Sequence, residues 1–425
     1  MIAIVDCNNF YCSCERLFLP HLDKHPVVVL SNNDGCIVSR SDEAKKLGVE
    51  MAGPYFKAKP LIRQHKVAVF SSNYGLYGDL SWRVMETLRV MFGKNKVEVY
   101  SVDEAFVELD GYKPEYLQQL AMEIRETVEL WTGIKVSVGV APTKVLAKMA
   151  NNLSKKNKEK TKCVVVLDTK DKIDAALRHT KVGDVWGVGR QYAKKLNEWA
   201  IYDAYQLSRM SEGFAKAKLG GVVGVRLVKE LRGEAAKDME EDLVNKKMIA
   251  TTRMFGSPVT DINDIKEAVA TYASRAAEKL RRQHGAAKWI SVFVVKKGED
   301  HSVNYHGASV SAQRTLPLAT SITNELIKPA IEMIDEIFEA GTIYKKAGVM
   351  LSGIVPDESI QGNLFRSEQS NSGRKLMDMM DNINFSQRDD VLKFAASGTT
   401  RDWKMRQELR SKRYTTRWEE LFEVR

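Results

Sequence analysis

Short apolar runs alternate with amphipathic stretches over residues 1 to 168 of the chain. IAIVDC, HPVVVLSN, KVAVF, KVEVYSV, FVELD, KVSVGVA and CVVVL read as strands. Between them, Leu80, Val84, Leu88 and Met91 recur at the spacing of one helix face, and Leu117, Leu120, Ile124 and Val128 at that of another. The pattern predicts a sheet covered by helices. From 169 to 233 it turns helical and glycine-punctuated, ending at KELRGE. The polar, charged run that follows, AAKDMEEDLVNKK, reads as a linker over 234–246. A second β-rich unit spans 247–353, with strands MIATTRMFG, WISVFVV, SVNYHGASV and KAGVMLSG. Its helices, around Ile265 to Leu280 and Ile322 to Phe338, would cover one face of a small sheet. Residues 354–425 are less regular. The expected class is α/β and α+β, multidomain.

At 425 residues with 44% hydrophobic content the chain is too long for one ordinary core. A net charge of +10 favours a polyanionic partner, nucleic acid first. No apolar run approaches the roughly 20 residues of a membrane span, and Asp6 interrupts the N-terminus before a signal-peptide core could form, so a cytoplasmic location is expected. Five cysteines do not make a disulfide framework in a chain of this length. Cys12, Cys14, His21 and His25 imitate a zinc-finger order, but the intervening run is about half the roughly 12 residues such a finger needs, which favours plain thiols.

VEVYSVDEAFVEL, Val97 to Leu109, sets Asp103 beside Glu104 between two runs with the character of buried strands. In one continuous strand a carboxylate would enter the core. A hairpin turning over Ser101 to Glu104 resolves this, with both acids at its tip, Val97 and Val99 buried on one arm and Val107 and Leu109 on the other. Asp6 ends the first strand and could lie at the same level. Three converging carboxylates repel in a low dielectric unless a cation joins them, and hard oxygen ligands suit Mg²⁺. Two such ions about 4 Å apart would serve phosphoryl transfer.

The segments DCNNFYCSCE, LSNNDGC, SSNYGLYGDLSWRVM, YSVDEAF, GVAPTKVLAKMAN, DVWGVGR, YASRAAEKLRRQH and RYTTRWEEL resemble, in order and spacing, the motifs of Y-family translesion DNA polymerases. The resemblance is to the UmuC type, the catalytic subunit of DNA polymerase V, and spans essentially the whole chain. It implies a right-hand polymerase with palm and fingers in 1–168, a helical thumb in 169–233, the linker, a little finger in 247–353 and a partner-binding region in 354–425. It implies error-prone, DNA-directed DNA synthesis past damage in the SOS response.

Residue by residue, the resemblance makes Asp6, Asp103 and Glu104 catalytic metal ligands for two Mg²⁺ ions, joined by the Cys7 carbonyl. Tyr11 becomes the steric gate that occupies the space of a ribose 2′-hydroxyl, with Phe10 supporting sugar and base beside it. Lys148 is assigned to the incoming triphosphate. On its helix Val145, Leu146, Met149 and Leu153 form the buried stripe and Lys144 shares the opposite face. The following KKNKEKTK reads as an unspecific basic surface. Many family members carry an acid where Asn8 stands, and a Tyr and an Arg grip the triphosphate where this chain has Asp42 and Lys45. A lysine lacks the bidentate fork of arginine.

WGVGRQYAKKL suggests a helix-hairpin-helix in which the N–H groups of Gly187 and Gly189 meet a DNA phosphate. Arg253, Lys288 and Arg275 are candidate phosphate contacts of the little finger. QGNLF resembles a sliding-clamp peptide, with Gln361 in one subsite and Leu364 and Phe365 in an apolar pocket. The final segment resembles the region that binds a UmuD′-type dimer. Implied partners are therefore primer-template DNA, deoxynucleoside triphosphates, that dimer, a sliding clamp and a RecA-type recombinase filament. A two-metal nucleotidyl cyclase or nuclease and a DNA-bound scaffold with vestigial acids are the competing readings.

Overall fold

The computed structural model describes residues 1–240, 245–298, 307–360, 371–387 and 390–423. The chain forms two compact units: Met1–Ser31, Gly35–Asp242 and Leu409–Arg425 make the first, Asn32–Asp34 and Leu243–Glu408 the second. This division is coarser than the five expected segments.

The first unit contains strands β1 (Ile2–Cys7), β2 (Val27–Leu30), β3 (Ile37–Arg40), β4 (Ala68–Ser71), β5 (Val97–Val99), β6 (Glu104–Glu108), β7 (Val136–Ala141) and β8 (Val164–Val166). Its first helices are α1 (Phe10–Leu17), α2 (Asp42–Lys46), α3 (Tyr55–Gln64), α4 (Tyr74–Phe92), α5 (Leu117–Thr132), α6 (Lys144–Lys156) and α7 (Lys158–Thr161). The glycine-punctuated region adds α8 (Lys170–His179), α9 (Arg190–Glu198), α10 (Ala204–Ser208), α11 (Glu212–Lys218) and α12 (Val222–Leu231).

One sheet has the order β5-β6-β1-β7-β8, and a smaller one the order β3-β2-β4. β1 lies antiparallel to both β6 and β7, which pairs both its edges, and its two faces enter separate cores, so it reads as a continuous apolar run. Ala3, Val5, Ala105, Val107, Val138 and Val140 pack against α4 and α5 in one core. Ile4 and Phe106 face the other way, into a core shared with Val145, Leu146 and Met149 of α6. Asp6 has the parity of Ile4, and Glu104 that of Phe106, so both acids emerge on the α6 face. Leu196 and Leu227 of the expected thumb join that same core. The smaller sheet has its own core, built on Val28, Leu30, Ile37, Ala44 and Ile62.

The start of the expected linker is anchored. The Ala236 and Lys237 N–H groups donate to Glu230 Oε1 at 2.8 and 3.0 Å, and the Glu240 N–H donates to Glu98 Oε2 at 2.8 Å. Buried carboxylates recruit backbone donors there, which a reading of charge density alone overlooks.

The second unit is the antiparallel sheet β11-β10-β12-β9, formed by β9 (Met248–Val259), β10 (Gly285–Lys296), β11 (Ser309–Thr320) and β12 (Tyr344–Pro356). α13 (Ile262–Arg281) and α14 (Thr323–Ile337) contribute the helical side of its core. Residues 302–306 of the strand expected at SVNYHGASV lie outside the described residues, and in β11 the alternation of Val310, Ala312 and Leu316 sets the inward face. The region beyond Ile354 is also more regular than expected: α15 spans Asn371–Ser386, and Trp403 is buried edge-on against Tyr272, 5.8 Å between centroids. Arg281 fixes α15 through Asp381, its Nε and Nη2 at 2.7 and 2.8 Å from the two carboxylate oxygens. Leu376, Met379 and Phe385 of this helix stay exposed while Met377 is buried, so its inward stripe is narrow. Among the described residues no helix is long and apolar enough to cross a membrane.

Candidate active site

Asp6 and Glu104 stand directly opposite each other on β1 and β6. The hairpin exists, but Glu104 is the first residue of β6 and Asp103 alone remains in the turn. The N–H groups of Tyr100 and Ser101 both donate to the Glu104 carbonyl at 3.0 Å, closing that turn. The Cys7 N–H donates to the Asp103 carbonyl at 2.8 Å, and Ser101 Oγ donates to Asp103 Oδ1 at 2.8 Å. Val97, Val107 and Leu109 are buried as expected; Val99 is half-buried.

α6 lies across this carboxylate row because Gly139 lets it approach. A Cβ there would stand 2.3 Å from the Asn151 backbone nitrogen and 2.4 Å from the Ala147 carbonyl oxygen. Lys144, Lys148, Asn151 and Lys155 recur at helical spacing and all reach acids. Lys144 Nζ is 2.5 Å from Glu98 Oε2, Lys148 Nζ 2.6 Å from Glu104 Oε1, and Lys155 Nζ 2.5 Å from Asp6 Oδ1. Asn151 Nδ2 donates to Asp6 Oδ2 at 3.1 Å. The lysine face is thus turned toward the sheet, and Lys144 is a buried structural partner rather than a solvated one. Lys155, read as part of an unspecific basic run, belongs to the site. Its position seven residues after Lys148 was the available signal.

Burial pushes the Asp6 carboxyl up to about 6, with the Lys155 ammonium opposing and Glu104 adding to the rise. Burial also works against the Glu104 carboxylate. There the hydrogen bonds from Asp6 and Lys148 outweigh it, and Glu104 lies below its ordinary value. The two acids stand side by side beneath two ammonium groups, with burial favouring a proton on Asp6 over one on Glu104. That donor set fits a hard divalent cation, which would take over the neutralising role. Among the described residues no three acidic, histidine or cysteine side chains are grouped closely enough to hold one ion, and Asp103 Oδ1 accepts from Ser101 Oγ. Asn8, where many family members have an acid, accepts from Ser137 Oγ at 2.6 Å.

Tyr11 on α1 stacks on Tyr77 of α4, 4.5 Å between centroids, and meets Tyr74 edge-on at 6.1 Å. Burial, helped by the neighbouring Tyr74 and Asp103, pushes its hydroxyl up to about 12, so it remains a neutral phenol. Phe10 differs from its expected role. It is buried in the α4 and α5 core and backs Tyr11 at 5.7 Å.

Lys45 Nζ contacts Asn9 Oδ1 at 2.5 Å and Asp42 Oδ1 at 3.0 Å. Asn9, in the left-handed region at φ 48°, also donates from Nδ2 to Asp42 at 3.2 Å. Lys158 pairs with the other Asp42 oxygen. Burial would raise the Asp42 pKa, but these hydrogen bonds from Lys158, Lys45 and Asn9 hold it well below the usual carboxylate range. Asp42 therefore gathers two cations. Lys148 also lies over the rings of Tyr100 and Trp186, at 4.7 and 5.6 Å.

Gly187 takes φ 101°, and Gly189 is the N-cap of α9 with open space where a Cβ would stand. Lys181, Arg190, Lys194 and Tyr202 line a concavity beside that helix. In the second unit Arg253 and Lys288 are exposed. Arg275 is paired with Glu278 and Asp390, at 2.8 and 2.5 Å. Gln361, Leu364 and Phe365 lie outside the described residues. Cys12 and Cys14 are core thiols and His21 is exposed, in keeping with the reading against zinc.

The impB/mucB/samB family model matches residues 5–152, and the C-terminal domain model of the same family matches 246–364. A domain of unknown function, DUF4113, matches 374–424. Protein UmuC of Salmonella typhimurium LT2 is 43% identical over 427 aligned positions, covering 100% of each chain. The chain belongs to the impB/mucB/samB family. Protein ImpB of Salmonella typhimurium is 38% identical, with 99% of each chain covered. DNA polymerase IV of Brucella melitensis is 27% identical over 84% of this chain and 76% of its own. Among solved structures, the Y-family DNA polymerase chimera Dbh-Dpo4(243-245)-Dbh superposes with a TM-score of 0.69 at 22% identity, covering 84% of this chain and 99% of that one. The fold is that of Y-family DNA polymerases, as the sequence led us to expect.

Proposed function

We propose that the chain is a DNA-directed DNA polymerase of the UmuC type that performs error-prone translesion synthesis in the SOS response. The observation that carries this reading is the Asp6 and Glu104 pair on the central strands, under a helix that lines lysines along it. Asp6, Glu104, Asp103 and the Cys7 carbonyl would hold two Mg²⁺ ions, which supply charge neutralisation and an activated 3′-hydroxyl for nucleotidyl transfer. Lys148 and Lys155 neutralise the acids in the free enzyme and, once replaced there, meet the anionic triphosphate. Lys45 assists from α2 as a point charge.

Tyr11, clamped by Tyr74 and Tyr77, excludes a ribose 2′-hydroxyl. Gly187 and Gly189 offer backbone donors to a DNA phosphate at the α9 N-terminus. Primer-template DNA and deoxynucleoside triphosphates are the substrates. The UmuD′-type dimer, the sliding clamp and the recombinase filament are partners implied by the resemblance, and the cytoplasm is the corresponding location. A product gel of a labelled primer with template, deoxynucleotides and Mg²⁺ tests the reading: stepwise lengthening is expected, whereas shortening or a cyclic nucleotide would replace it with nuclease or cyclase chemistry.

A further inference from the structure

Leu409 to Phe422 return to the first unit and lie against the start of α4. The Leu409 N–H donates to Ser71 Oγ at 2.9 Å and the Ser71 N–H donates to the Leu409 carbonyl at 3.0 Å. A parallel bridge from Ser71 to Arg410 extends the edge at β4. Asn73 caps α4, its side chain accepting from the Leu76 N–H at 3.5 Å. The same side chain donates from Nδ2 to the Ser411 carbonyl and Oγ, both at 3.0 Å, and to the Lys412 carbonyl at 3.2 Å. One amide thus starts the helix and grips the tail.

Ser411 Oγ donates in turn to Glu15 Oε1 at 3.0 Å, and the Tyr77 hydroxyl donates to that same oxygen at 2.6 Å. Glu15 is fully buried and its Oε2 has no hydrogen-bond partner among the described residues, so these two donors are what hold it. Tyr414 is inserted between Phe18 and Phe422, with ring centroids at 4.8 and 4.6 Å. From Ser411 the chain of contacts runs through Glu15 to Tyr77, whose ring stacks on Tyr11.

We propose that the C-terminal tail is a positioning strap for the sugar gate: Tyr414 anchors the tail on Phe18, Ser411 fixes Tyr77 through Glu15, and Tyr77 in turn fixes Tyr11, and so the strap sets the discrimination between deoxyribo- and ribonucleotides. The inference rests on the assignment of Tyr11 as that gate. Without the strap, Glu15 keeps one donor, the first turn of α4 loosens, and the wall behind Tyr11 recedes from the 2′ position.

The test compares kcat/KM for a deoxynucleotide and its ribonucleotide in the full-length chain, assayed in its active assembly. The variants are S411A/Y414A, S411T, Y11A and the triple combination. S411A/Y414A is expected to lower the ratio about tenfold, the weight of one or two buried polar contacts and a ring stack, and because both nucleotides are read in the same assembly a change in its amount cancels from the ratio. S411T keeps the hydroxyl and should keep the ratio. In the Y11A background the tail substitutions should change nothing further, as expected for positions acting through one group. A lowered ratio in Y11A with an unchanged one in S411A/Y414A would overturn the strap alone. An unchanged ratio in both would remove the gate and the strap together. Equal losses for both nucleotides would reduce the tail to a stability element and overturn the proposal. If the double variant does not fold, S411A alone should lower the ratio about fivefold, and no change would count against the strap.

Discussion

Three carboxyls on the two sides of one sheet, Asp6 and Glu15 buried and Glu104 half-buried, end in different states because their donors differ. Glu104 receives Lys148 and stays ionised, Asp6 is pushed up to about 6 by burial against Lys155, and Glu15, with two hydroxyl donors and no ammonium in hydrogen-bond contact, is pushed up to about 7 by burial. Glu15 would titrate near 4.5 in the unfolded chain, so the folded protein holds its proton more tightly. Stability from this group is fully present below the unfolded value and is lost as pH climbs through the folded one, an effect on the order of 3 kcal/mol. Glu15→Gln keeps an acceptor for Tyr77 and Ser411 without the charge. Denaturant unfolding should show the wild type losing stability relative to this variant between about pH 5 and about pH 8; parallel profiles would contradict it. At the proposed metal site, Glu104→Ala or Asp103→Ala should abolish nucleotide incorporation while leaving DNA binding close to wild type, measured by primer extension beside a binding titration. Incorporation retained in either variant would remove that residue from the site.

The elements that carry these residues depend on close approach. α6 can deliver Lys148, Asn151 and Lys155 to the acids because β7 presents Gly139 beneath it. Gly139→Ala should cost about 3 kcal/mol or more through overpacking against backbone, which cannot rotate away. It should lower the melting temperature and incorporation together, and an unchanged melting temperature would contradict the packing account. Much of this framework was legible in the sequence. Strands buried on both faces, such as β1 and β7, are continuous apolar runs, and α4 and α5 carry regular apolar stripes. β3 escaped notice because Ile37 and Val38 are its only large apolar residues, and α15 because its buried stripe is narrow. Asp6, Asp103, Glu104 and Tyr11 were assigned from motif order, and of these the structure sets Asp6 opposite Glu104. Lys155 was not, since a lysine-rich run ordinarily reads as solvent-facing and only its register on α6 sets it apart. Phe10 and Tyr11 are adjacent on α1, and only the packing of that helix decides which ring enters the core.

At the scale of the molecule, the charge of +10 complements a polyanion, and binding to primer-template DNA should weaken tenfold or more between about 50 and about 200 mM salt. A flat salt response in a fluorescence titration would contradict a phosphate-dominated interface. The most direct test of the account is primer extension on undamaged and abasic templates with Mg²⁺, the chain being assembled with a UmuD′-type dimer and activated by a recombinase filament, beside the Asp103→Ala, Glu104→Ala double variant. Extension across both templates by the wild type and none by the double variant is the predicted result. No extension by either, with DNA binding and the filament verified, would contradict the polymerase reading, and equal extension by both would place the chemistry away from the Asp6 and Glu104 pair.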